Sequence, residues 1–136
     1  MTEYAVISCG AAKRPQACKA YRLYTGAFFR GQWAWAAAHY PPSRIRILSA
    51  LHGIITPSTI IAPYDLRMGQ AGSVEVPVVA DGLPTDCTAI VSTVGADYAK
   101  VLTPAAEARG ITVTYPFSGP MGTRLQQMKR AAGRRR

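Results

Sequence analysis

Cysteine is scarce in this chain. Cys9, Cys18 and Cys87 are the only three, an odd number without regular spacing, so no disulfide framework is expected. There is no CxxC and no HxxxH spacing, so no structural zinc site and no other metal are expected. The Walker pattern is missing too, and nothing in the sequence implies a cofactor. Long apolar runs are absent: the longest are a handful of residues, far short of the ~20 that a membrane helix needs. No membrane partner is therefore expected. The start, Met1-Thr2-Glu3-Tyr4, lacks a basic region ahead of an apolar stretch. That argues against a signal peptide and for a cytoplasmic protein. Acid is also in short supply, with seven Asp and Glu against sixteen Lys and Arg and a net charge of +9.

What remains fits one globular domain. The 136 residues are 49% hydrophobic, and the mean hydropathy is +0.04. At this length a single core buries most of the apolar surface without staples. Five of the positive charges, Lys129, Arg130, Arg134, Arg135 and Arg136, lie in the last eight residues, so residues 1–128 carry only +4. The expected organisation is a domain over 1–128 and a basic tail over 129–136. Such a tail attracts phosphate backbones without reading their sequence; the plainer alternative is a solubilising end.

Residues 4–9 read as a buried strand ending in small residues and Gly10. Residues 11–26 are long for a simple connection and are either functional or partly helical. An alanine-rich helix is expected over 26–40, stopped by Pro41-Pro42. A second strand spans 44–50 and ends at His52-Gly53. Residues 54–70 read as an irregular ordered loop. Residues 72–82 are ambiguous between a short helix and an edge strand, because Pro77 forbids a central one. A strand over 88–94 is followed by a helix over 96–109, with Asp97 in its first turn and Gly110 as its stop. Pro104 implies a kink or two pieces. A last strand spans 111–117, and Thr123 is placed to cap a helix over 124–132. This alternation implies an α/β domain: an open, mainly parallel sheet of about four strands with covering helices, Rossmann-like.

Ligands of such sheets bind beyond the carboxyl ends of the strands. Four segments fall there: 9–13, 49–65, 95–98 and 117–122. In the first, Ser8, Cys9, Gly10 and Lys13 offer small residues, approachable backbone N–H groups and a cation for an anion. Cys9 is a candidate nucleophile if a lysine or a helix N-terminus stabilises its thiolate; a small buried thiol is the commoner case. In the second segment, His52 follows a strand as a candidate ligand or general base. Asp65 is positioned to orient it, bind a sugar hydroxyl or activate water. Ser49, His52 and Asp65 do not form a hydrolytic triad in the G-x-S-x-G manner, since no such elbow precedes a helix. Tyr24, Tyr64 and Tyr98 lie near these loops, where aromatic faces stack bases or, more often, complete a core with a wet hydroxyl.

These residues also form a recognisable set. Ile7-Ser8-Cys9-Gly10 with Lys13, Leu23-Tyr24-Thr25-Gly26 with Phe29, Leu48-Ser49-Ala50 with His52-Gly53, and Pro63-Tyr64-Asp65 together resemble a family of small bacterial and phage proteins of unknown function. The match is good over 4–66 and loose over 88–129, and residues 67–87 depart from it. The layout is distantly similar to uracil-DNA-glycosylase-like α/β domains, including one in archaeosine synthesis enzymes, and to the peroxide-stress protein YaaA family. That resemblance implies nucleobases, nucleotides or nucleic acid as partners but no particular reaction. The glycosylase GxDPY loop is absent after the first strand, so uracil excision is not expected.

Two functions follow. One is an enzyme acting on a nucleobase or nucleotide, with nucleic-acid base modification as a candidate process, His52, Asp65 and Cys9 catalytic, and Ser8, Gly10, Lys13, Tyr24, Ser49, Tyr64 and Tyr98 binding substrate. The other is a non-catalytic nucleic-acid-binding module that uses the same loops and the tail.

Overall fold

The computed structural model describes residues 2–133. Along the chain these form β1 (Thr2–Ser8), β2 (Cys18–Lys19), α1 (Ala20–Leu23), α2 (Ala27–His39), β3 (Ile45–Ser49), β4 (Gly53–Ile55) and β5 (Ile60–Ile61). Then come α3 (Val76–Gly82), β6 (Cys87–Ser92), α4 (Ala96–Ala108), β7 (Thr112–Thr114) and α5 (Met121–Gly133). No helix among the described residues is long and apolar enough to cross a membrane. Arg134, Arg135 and Arg136 lie outside the described residues. Lys129 and Arg130 belong to α5 and are exposed.

The expected mainly parallel sheet is present, with five strands instead of about four, in the order β4-β3-β1-β6-β7. β1 runs parallel to both β3 and β6, β6 runs parallel to β7, and β4 is antiparallel to β3. β1 is buried continuously from Tyr4 to Ser8, as a central strand covered on both faces must be. From β1 the chain crosses to β3 on one side; it later crosses from β6 to β7 on the other. Right-handed crossovers in opposite directions put their helices on opposite faces. Accordingly α2 packs on β1 and α5, and α3 packs on α4. The core between these layers is built from Val6, Ile7, Ile45, Ile47, Leu48, Ile90 and Leu102, all 1% exposed or less.

Several local readings are corrected. The 54–70 loop contains two short strands: Ile54-Ile55 adds β4 to the sheet, and Ile60-Ile61 pairs with Cys18-Lys19 as a separate ribbon. The β-branched pairs found partners that no local pattern revealed. Of the two alternatives left open for residues 72–82 the short helix is the one that forms, over Val76–Gly82, and Pro77 sits in its first turn, where a missing N–H costs nothing. Pro104 does not divide α4, which is continuous. The carbonyl it leaves without an N–H partner belongs to Lys100, an exposed residue. Thr123 is no cap: α5 starts at Met121, and the Arg124 N–H donates to the Pro120 carbonyl. Gly110 does close α4, with φ +69°, a conformation that disfavours any side chain.

Candidate functional site

The strand order reverses direction between β1 and β6, and this is where open sheets leave a crevice at the carboxyl ends of their strands. A cavity of about 570 Å³ lies there. Ser8 to Ala12 line it from the exit of β1, Gly26 to Phe29 from the start of α2, and Gly95, Asp97 and Tyr98 from the start of α4; Arg67, Met68 and Met121 complete the wall. Both helices begin on glycine caps, Gly26 and Gly95, with no side-chain capping bond. Their first-turn N–H groups are therefore uncapped by protein side chains, and the positive ends of two helix dipoles meet at one place. Arg124 packs against two of these lining residues, Phe28 and Gly95. Its guanidinium lies 4.9 Å from the Phe28 ring centroid and donates to the Thr93 carbonyl at 3.2 Å.

Cys9 is buried, and its sulfur is 3.0 Å from Tyr98 Oη. The pair stands where β1 and α4 meet the cavity. Burial first, and then the Cys9 neighbour, push the Tyr98 phenol well above its ordinary range.

Beside this pair lies a second polar cluster, centred on Tyr64. Tyr64 Oη is 2.7 Å from both Ser49 Oγ and Tyr24 Oη. Ser49 Oγ accepts from the backbone N–H groups of Leu51 and His52, which uses its two lone pairs. Its own proton is then free for Tyr64, and Tyr64's for Tyr24. Lys13 Nζ lies 4.4 Å from the Tyr64 ring centroid and donates to the Ala11 carbonyl. The His52 ring meets Tyr64 edge-on at 5.6 Å. Burial raises the phenols of both tyrosines, that of Tyr24 to about 12.

The structure thus brings Lys13, Tyr24, Ser49, His52 and Tyr64 together, and Ser8, Cys9, Gly10 and Tyr98 at the adjoining cavity. It does not join His52 to Asp65. Both are exposed, no hydrogen bond links them among the described residues, and neither lines the cavity. Tyr24 is 2% exposed and offers no face to a base. Tyr64 has one face under Lys13 and an edge against His52. With Ser49 the two tyrosines form a hydrogen-bonded chain of hydroxyls, an arrangement that spacing alone does not disclose. His52→Ala and Asp65→Asn should each change stability by less than about 0.5 kcal/mol, as exposed positions without buried partners do; a thermal melt of each variant checks this.

Three contributors escaped the sequence reading. Gln32 is fully buried, and its Oε1 accepts from the Ser8 N–H at 3.0 Å and the Thr93 hydroxyl at 2.6 Å, while Nε2 donates to the Ser8 carbonyl at 3.2 Å. It takes the place of a neighbouring strand at the last residue of β1. Its only signal was a polar residue in the apolar stripe of α2. Phe28 and Arg124 come from different helices, and nothing local pairs them.

Residues 4–130 match the profile of a family of unknown function (DUF6884), and the chain belongs to that family. A search of curated proteins finds no match. Membership of a family of unknown function agrees with the resemblance drawn from the strand-end residues.

Proposed function

We propose that this family member binds a nucleoside phosphate in the cavity between the ends of β1 and β6 and acts on it as an enzyme. The observation that carries this reading is the meeting of two glycine-capped, otherwise uncapped helix N-termini with the Gly10 turn in one crevice. Backbone N–H groups at helix starts receive phosphate oxygens. Arg67 in the lining and Arg124 beside it outweigh the one lining carboxylate, Asp97. Phe28, Met68 and Met121 supply apolar surface for a ring system, the usual lining of a small-molecule site. The distant similarity to uracil-DNA-glycosylase-like domains favours a base-bearing ligand over a bare phosphate.

The reactive groups at this place are the Cys9 thiol and the Tyr98 phenol, 3.0 Å apart. Cys9 has the chemistry of a nucleophile, and Tyr98 that of a proton donor to a leaving group or oxyanion. The Tyr64 cluster behind them fixes the wall and keeps Lys13 near the entrance. His52 and Asp65 take no part in this reading.

Isothermal titration with nucleoside mono- and diphosphates, free nucleosides and orthophosphate tests it. Nucleoside phosphates should bind more tightly than either fragment. Arg124→Gln and Arg67→Gln should each weaken binding about tenfold, which is ~1.4 kcal/mol. Failure of every nucleoside phosphate to bind, or unchanged affinity in both variants, rejects the site.

A further inference from the structure

A second feature lies outside the strand-end cavity. Two cavities of about 490 and 480 Å³ adjoin one another on the α1–α2 side of the molecule and share Tyr21 and Trp33. These two rings stack, with centroids 5.1 Å apart and planes 26° from parallel. Both residues are half-buried, so part of the platform faces the groove. Lys19 and Arg46 line the first cavity, and Arg14, Arg22 and Arg30 line the second. No acidic side chain lines either. Among the described residues the one ion pair is Lys100–Asp97, elsewhere on the surface. Arg14 is held in place by its Nε, which donates to the Arg22 carbonyl at 2.8 Å.

Five cations gathered without a carboxylate repel one another, a cost that a purely structural surface avoids by interleaving acids. Their arrangement matches an extended polyanion, because they are distributed over both cavities and do not converge on one point as a mononucleotide site would require. The aromatic pair narrows the class. A flat stacked platform between cations is complementary to unpaired bases, whose faces are free, and not to a duplex, whose base faces are covered.

We infer that this groove binds single-stranded nucleic acid, with bases against the Tyr21–Trp33 platform and the backbone along Arg14, Arg22, Arg30, Lys19 and Arg46. This inference is independent of the nucleoside-phosphate site: a protein that binds no mononucleotide still answers the test below.

Fluorescence anisotropy with labelled dT20, U20 and a 20-base-pair duplex, over a range of salt, provides that test. Inorganic polyphosphate serves as a competitor that has charge but no bases. Single strands should bind at least about tenfold more tightly than duplex, and the ratio of dT20 to U20 tells DNA from RNA. The Arg14→Gln/Arg22→Gln/Arg30→Gln variant should lose about tenfold or more, with a salt slope lower by roughly 2, since each phosphate contact on a single strand contributes about 0.7. Tyr21→Leu should lose roughly tenfold in affinity with its salt slope unchanged. Thermal melts verify that both variants fold. Arg134→Gln/Arg135→Gln/Arg136→Gln separates the C-terminal arginines from the groove. Equal binding of duplex and single strand, polyphosphate competing as well as dT20, or an unchanged slope in the triple groove variant overturns the proposal. So does complete loss of binding in the C-terminal variant alone.

Discussion

Gln32→Leu should lower the melting temperature more than any other conservative substitution around the site. Leucine fills nearly the same space but leaves the Ser8 N–H, the Ser8 carbonyl and the Thr93 hydroxyl without their partner. Ser8 and Thr93 are 3% exposed, so water does not readily replace it. An unsatisfied buried polar group costs about 1–3 kcal/mol, and three groups with partial relaxation imply roughly 3–5 kcal/mol. That is a large share of the ~5–15 kcal/mol that holds a domain folded. The melting temperature should fall by about 10 °C or more. Gln32→Glu separates polarity from volume. Its second oxygen faces the Ser8 carbonyl, so burial favours the protonated acid. That variant should be most stable in acid and lose stability as pH rises towards neutrality, whereas Gln32→Leu should be equally impaired at both ends. A pH-flat profile for Gln32→Glu would remove the Ser8 carbonyl bond from the account. Because Gln32 holds the end of β1, ligand affinity at the neighbouring cavity should fall in both variants.

Tyr64→Phe should produce the second largest effect. It deletes one oxygen that serves both Ser49 and Tyr24. Ser49 keeps its two backbone partners, but Tyr24 loses the hydroxyl bond at its buried tip. The expected cost is about 1–3 kcal/mol, with no loss of ring packing, so the Lys13 contact persists. The same cluster predicts the alkaline behaviour of the wild type. Tyr24 is pushed by burial from 10.0 to about 12, against a smaller lowering by the Tyr64 bond; Tyr64 and Tyr98 are raised as well. A phenol raised in the folded state stabilises the fold fully below its unfolded pKa. That contribution declines as pH climbs through the folded value. Stability should therefore fall between about pH 10 and 12, and tyrosinate absorbance from these three phenols should appear together with unfolding, not before it. Early, non-cooperative tyrosinate formation that is lost in part when Tyr24, Tyr64 or Tyr98 is replaced by Phe would show that these phenols are accessible.

The α/β class, most element positions and the strand ends that line the cavity were legible in the amino-acid sequence alone. Apolar runs such as Ala5–Ile7, alanine-rich stretches and Pro41-Pro42 act through local sterics and burial, so they are readable without a fold. The sequence also singled out Cys9, Gly10, Lys13, Ser49, Tyr64 and Tyr98, because small and reactive residues after strands are unusual. Their partners were decided only by tertiary structure. His52 and Asp65 share a loop, which suggests a pair, but Tyr64 is the residue that His52 meets. Ile60-Ile61 became a strand only because Cys18-Lys19 lay opposite. Gln32 became the partner of Ser8 because α2 crosses the end of β1, and Arg124 reached Phe28 because α5 returns beside α2. Tyr21 and Trp33 likewise stack across α1 and α2. Hydrogen bonds, ring stacking and charge balance act over a few ångströms between residues tens of positions apart. Local pattern shows which side chains are capable of such contacts; the crossovers of the sheet select which of them meet.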